Sequence, residues 1–207
     1  MVDSQIRPNR VHDLRVIEAM RLLPREAFAP AGMPAYADTD LDLGGGRFML
    51  QPMNVARLAQ LALADLPAHA LVIGAGSGYL AAMLSLAGLD VVALEEETRL
   101  TSPALAAYAP KAQAVMGPLR AGWPSSGPYD VIIIEGAVRE IPPVLAAQLS
   151  PGGRVVTILA EEPVSGALGH IVVGEPVNGG FSLVEHFDCA ARPLPQFTPA
   201  PAFCFRG

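Results

Sequence analysis

Residues 71–84, Leu71-Val72-Ile73-Gly74-Ala75-Gly76-Ser77-Gly78-Tyr79-Leu80-Ala81-Ala82-Met83-Leu84, pass from an apolar run through alternating glycines into a helical pattern. This order reads as strand, tight turn, helix. Glycines suit such a turn because the backbone must adopt left-handed conformations that a Cβ disfavours, and because a bare backbone lets a ligand lie against the N–H groups at a helix start. A nucleotide-like ligand is the expectation. The alternative is that the glycines only make the turn.

The spacing narrows the ligand. A dinucleotide fingerprint places a third glycine three residues after the second, where this chain has Tyr79. Glycines 74, 76 and 78 give G-x-G-x-G instead. The run Asp90-Val91-Val92-Ala93-Leu94 reads as a second strand that delivers Glu95 about 20 residues beyond the first glycine, where an acid accepts both ribose hydroxyls. Together these suggest S-adenosylmethionine, with Gly74, Ala75, Gly76, Ser77, Gly78, Tyr79 and Glu95 as its contacts.

Composition sets the outer limits. The chain has 207 residues, 51% of them hydrophobic and 16% charged, enough for one α/β unit with a sizeable core. The net charge of −6 and the lack of a Lys/Arg cluster argue against a nucleic-acid partner. Cys189 and Cys204 form no CxxC pair and the four histidines show no ligand spacing, so neither a disulfide framework nor a metal site is indicated. No apolar run reaches the length of a membrane span and the N-terminus carries no signal-like segment, which predicts a cytoplasmic protein with no membrane partner.

Along the chain, residues 12–23 predict an amphipathic helix with Leu14, Ile17, Met20 and Leu22 on one stripe. Pro24 to Pro52 reads as a long ordered loop with Gly44-Gly45-Gly46 in it, a length that points to function. Val55 to Leu66 reads as a helix, Val131-Ile132-Ile133-Ile134 as a strand buried on both faces, Pro142 to Leu149 as a helix, and Arg154 to Leu159 as a strand. Sequential βα units imply a parallel sheet. Asn178-Gly179-Gly180 between two strand-like runs predicts an antiparallel hairpin, followed by an extended Pro-rich segment from Pro193 to Pro201. The expected organisation is one domain: 1–54 as helix and loop, 55–165 as the glycine-loop core, and 166–207 as the antiparallel part.

With these elements in place, the chain resembles the protein-L-isoaspartate O-methyltransferase family. The resemblance rests on the opening Met1-Val2-Asp3-Ser4-Gln5-Ile6-Arg7, on Pro24-Arg25-Glu26-Ala27-Phe28-Ala29-Pro30, and on Tyr36-Ala37-Asp38. It extends through Gly44-Gly45-Gly46 with Gln51-Pro52, Gly122-Trp123-Pro124, Glu140-Ile141-Pro142, and Gln148-Leu149-Ser150-Pro151-Gly152-Gly153. It implies an α/β fold with a doubly wound, Rossmann-like methyltransferase sheet, mostly parallel with an antiparallel C-terminal hairpin. It also implies a substrate loop containing Gly44, Gly46, Gln51 and Pro52, and a cofactor contact at Gly117.

Four positions depart from the family pattern. Phe48 and Leu50 stand where the family carries hydroxyl residues in the substrate loop. Val72 replaces an acid in the glycine-loop strand, and Pro118 replaces an aspartate on the adenine side. Glu135 stands where the family has a small hydroxyl residue; with Glu96 it is a candidate to compensate for the missing acids, or else a charge at a strand end reaching solvent. The expected activity is S-adenosylmethionine-dependent O-methylation of a carboxylate in damaged protein or peptide. The alternatives are a methyltransferase redirected to another acceptor and a non-catalytic binding module.

Overall fold

The computed structural model describes residues 1–98, 103–161, 167–190 and 192–197. Its main sheet has seven strands: β3 (His69–Ile73), β4 (Asp90–Glu95), β5 (Gln113–Met116), β6 (Tyr129–Val138), β7 (Leu149–Leu159), β8 (Leu168–Val177) and β9 (Gly180–Ala190). Their spatial order is β5-β4-β3-β6-β7-β8-β9. The first five run parallel, and β8 and β9 close the sheet antiparallel around the Asn178-Gly179 turn. The fold is thus the mostly parallel α/β sheet with an antiparallel C-terminal hairpin that the βα pattern and the Asn-Gly-Gly signal predict.

Alternation along the central strands divides the core between two faces. Ala70, Val72, Val131 and Ile133 point to one side, against helices α1 (Leu14–Leu22), α2 (Pro52–Ala62), α3 (Tyr79–Leu86) and α4 (Pro103–Tyr108). Leu71, Ile73, Ile132 and Ile134 point to the other, where Leu119, Leu145, Leu194 and Phe197 cover them. That second face is covered by short 3-10 turns, Leu119–Ala121 and Pro143–Gln148, and by C-terminal residues. The helix expected from Pro142 to Leu149 is one of these turns. Pro142 and Pro143 remove two backbone donors at its start, and the Gln148 side chain turns inward, accepting from Trp123 N and donating to the Ala121 carbonyl.

Two further expectations are corrected. In α1 the buried residues are Val16, Ile17, Ala19 and Met20, while Leu14 and Leu22 are 67% and 71% exposed. At about 100° per residue the buried four cluster on one side and the two leucines fall on the opposite side. The stripe therefore runs through Val16 and Ala19, not through Leu14 and Leu22. The segment from Pro24 to Pro52 is not a plain loop: it holds a 3-10 turn at Arg25–Ala27 and a hairpin of β1 (Leu41–Gly44) with β2 (Arg47–Met49). The Pro-rich tail has a turn at Pro195–Phe197, and the part beyond Phe197, with Cys204, lies outside the described residues.

Arg25 fastens this segment to the core. Fully buried, it donates through Nε to the Ala35 carbonyl and through Nη2 to the Leu50 carbonyl, and its guanidinium lies 4.8 Å over the Tyr79 ring. It thereby ties the segment to the first residue of α3. Arg25→Ala leaves two carbonyls unpaired and empties the space over Tyr79; it is expected to cost about 2–4 kcal/mol. Urea unfolding of the variant against the parent measures this, and a loss under about 1 kcal/mol would show that the segment is held some other way.

Candidate active site

β3 is the pivot of the sheet. Ile73 registers with Leu94 on one side and Ile134 on the other, and the strands that follow wind away to either side. In open α/β sheets ligands bind at such a switch point, beyond the carboxyl ends of the strands. Here those ends present Gly74, Glu95, Gly117 and Glu135.

Gly74, Gly76 and Gly78 have φ values of 72°, 54° and 83°, the left-handed region that glycine alone enters readily. The N–H groups of Gly74 and Ala75 donate to the Leu94 carbonyl at 3.0 and 3.1 Å, which ties the turn to β4, and Gly78 opens α3. A cleft of about 90 Å³ lies beside the turn, walled by Ala75 to Gly78, Ala93, Glu95, Leu105 and the small residues of the β5 side. Its walls are mostly apolar, with Ser77 and Glu95 as the polar side chains, a surface suited to a flat ring with a polyol at one edge.

Glu95 is 2% exposed and bonded on every side. Arg47 Nη1 donates to Oε1 and Nη2 to Oε2, both at 2.8 Å, while Nη2 also donates to the Gly74 carbonyl at 3.0 Å. The backbone N–H of Gly76 donates to Oε2 at 2.9 Å and that of Glu96 to Oε1 at 2.7 Å. Burial pushes the Glu95 pKa up, but the hydrogen bonds and charge of Arg47, with these two N–H groups, outweigh it and hold the carboxyl below its ordinary value. A ligand with vicinal hydroxyls on Glu95 must therefore displace Arg47. Leu43 and Leu194 complete the cover: a Cβ built on Gly76 or Gly74 would meet them at 3.3 and 3.1 Å.

The other expected site residues fall around this centre. Ser77 is buried in the turn, and the Tyr79 side chain points away, edge-on to Phe28. Gly117 donates to the Glu95 carbonyl at 3.0 Å and stays at the strand end because a Cβ would stand 2.9 Å from Trp123; Pro118 follows it, exposed. Val72 is core. Gly44 and Gly46 form the tip of the β1–β2 hairpin, where Gly46 lies against Pro195 and the next residue is Arg47. Gln51 N–H donates to Asp40 Oδ1, and Pro52 opens α2. Met49 and Met53 are core, while Phe48 and Leu50 line a small cavity with Arg47, Glu135, Arg192 and Leu194.

Glu135 departs from one expectation. It is 6% exposed and does not reach solvent, and its Oε2 has no hydrogen-bond partner. Burial raises its pKa to about 8 against the pull of Arg47 and Arg25, and Glu95 adds to the rise. Glu96, the other candidate to compensate for the missing acids, meets Glu95 only through its backbone N–H. Sequence reasoning missed Arg47, Arg25 and Leu194. The one available signal was a cation, Arg47, at the head of an apolar run, Phe48-Met49-Leu50, since a buried cation requires a partner.

The chain is similar to known proteins over most of its length. The family model described as protein-L-isoaspartate(D-aspartate) O-methyltransferase matches residues 1–165. A protein-L-isoaspartate O-methyltransferase of Methylorubrum extorquens is 40% identical over 162 residues, covering 75% of this chain and 71% of its own length. One of Rhodopseudomonas palustris is 38% identical over 162 residues, covering 75% of this chain and 74% of its own. Among solved structures, a Plasmodium falciparum protein described as a putative isoaspartate O-methyltransferase in complex with S-adenosyl-L-homocysteine shares the fold, with a TM-score of 0.75 at 18% identity over 91% of this chain and 93% of that one.

Arg47→Ala would leave Glu95 buried without its counter-ion, at an expected cost of about 3–5 kcal/mol near pH 7. Because the folded carboxyl lies below its ordinary value of 4.5, its stabilisation is complete above that pH and is lost as the pH falls through the folded value. The gap between variant and parent should accordingly narrow on acidification, as the variant's uncompensated buried Glu95 takes its proton first and the parent's follows below about pH 4.5. Denaturant titrations at several pH values measure it; a gap that stays constant would mean that the pair is not the source.

Proposed function

The chain belongs to the protein-L-isoaspartate(D-aspartate) O-methyltransferase family, and from that premise we propose that it methylates a carboxylate of an isoaspartyl residue in protein or peptide, with S-adenosylmethionine as donor. The observation that carries the reading is the joint placement of three left-handed glycines, the start of α3 and the Glu95 carboxylate at the switch point of the sheet. The turn and the cleft fit an adenosine, whose ribose hydroxyls would take the Glu95 oxygens in place of Arg47.

Bound S-adenosylmethionine supplies an electrophilic sulfonium methyl. The acceptor carboxylate is already an anion, so no side chain has to remove a proton, and the protein's part is to align and dry the two reactants. Gly74 to Gly78 present a backbone without side chains to the donor. Leu43 and Leu194 close over that turn and shed water from it. On the acceptor side, Phe48 and Leu50 exclude water in the same way but carry no hydroxyl for a peptide. Acceptor binding then rests on shape and on backbone groups of the hairpin.

Glu95→Ala should weaken S-adenosylmethionine by about tenfold or more, since hydrogen bonds to a charged group are worth roughly 1.5–3 kcal/mol. Calorimetric titration tests this. Base-labile methyl transfer to an isoaspartyl peptide should be detectable yet slower than in a relative with hydroxyls at positions 48 and 50. No heat from the unaltered protein at millimolar ligand would remove the cofactor reading, and transfer as fast as in that relative would show the hydroxyls to be dispensable.

A further inference from the structure

Arg47 lies between two carboxyl groups. One is Glu95, which it grips; the other is Glu135, which lines the same small cavity beside Phe48, Leu50 and Leu194. The register explains the juxtaposition: Ile73 pairs with Ile134, so Gly74 and Glu135 are the next residues on neighbouring strands. This part of β6 is held there by Thr157, whose hydroxyl donates to the Ile134 carbonyl at 3.2 Å. Glu95, Glu135 and Asp40 have buried carboxyl groups, and Asp40 is held by the Gln51 N–H and Arg192. Only Glu135 has an oxygen without a partner.

We propose that Glu135 is the second seat of Arg47: when a ribose takes the Glu95 oxygens, the guanidinium swings to Glu135, which gives up its proton to solvent as the new ion pair forms. The proposal rests on the cofactor reading above and assigns a positioning role to a residue which that reading leaves unused. A guanidinium expelled from Glu95 into an apolar cavity would be a buried, unpaired charge, so it needs a carboxylate within reach. Glu135, which lines the same small cavity as Arg47, is the carboxyl group placed to supply one. The groups that set its protonation are Arg47 on β2, Arg25 on the 3-10 turn before the hairpin, Glu95 on β4, and Arg192, which faces the same cavity while paired with Asp40. With Arg47 on Glu95, burial keeps the proton on Glu135 to about pH 8. With Arg47 on Glu135, the same attraction that lowers Glu95 lowers Glu135 instead.

The consequence is proton release coupled to ligand binding. The loaded form holds fewer protons, so affinity rises with pH up to about 8, and binding at neutral pH releases a proton. S-adenosylhomocysteine is the probe, because its sulfur is uncharged and any release cannot be ascribed to a sulfonium beside Glu135. Calorimetry of the unaltered protein in buffers of different ionisation enthalpy counts the protons. Glu135→Gln, which keeps the shape and cannot ionise, should bind without release and with an affinity flat from pH 6 to 8. Binding without proton release, or release that persists in Glu135→Gln, overturns the relay while leaving the cofactor reading standing. No binding by the unaltered protein overturns both.

Discussion

The bidentate contact of Arg47 with Glu95 is the interaction around which the rest of the site is arranged. It joins three parts of the chain that are far apart in sequence: the hairpin that carries Arg47, the glycine turn whose Gly74 carbonyl shares the guanidinium, and the end of β4. A pair at 2% exposure gives up the hydration of two ions, and the loss is offset only if every remaining donor and acceptor is used. Here the Gly76 and Glu96 N–H groups use the carboxylate's other lone pairs. The backbone path through Gly74 and Gly76 is what aims those donors inward. Hairpin, turn and strand end therefore form one electrostatic unit.

What the sequence discloses about this unit depends on how local each part is. The G-x-G-x-G turn is a local device, in which each glycine meets a backbone demand within a few residues of itself; it is legible and stands where the pattern puts it. The Asn178-Gly179-Gly180 hairpin is legible for the same reason. Arg47 is not: its partners lie 27 and 48 residues away, and no spacing rule links a hairpin tip to a strand end. Glu135 was visible as an odd acid after a β-branched run, but whether such a group meets solvent or a closed cavity depends on Leu194 and Arg192, almost 60 positions downstream. The misplaced stripe in α1 is a lesser case, in which nine residues carry apolar side chains on both sides and tertiary contact selects one.

The departures from the family pattern also gain a physical reading. Val72 faces the helix layer and packs at zero exposure, so an acid at that position would need a buried partner. Leu50 is similarly closed off, and it contributes to the site through its backbone carbonyl, which anchors Arg25. Met49 and Leu50 thus strengthen the core on which the hairpin rests.

The strand-like segment from Arg192 to Leu194 runs beside β6, with the Ala137 N–H donating to the Arg192 carbonyl at 2.7 Å and Leu194 lying over Gly74. During synthesis, the glycine turn leaves the ribosome more than a hundred residues before the side chain that roofs it. Until then the glycine turn lacks the Leu194 cover that lies over Gly74. Maturation of the pocket is therefore a late event in the life of the nascent chain, and a stalled or clipped product lacking residues 192–194 would hold a folded sheet with an unfinished ligand cleft.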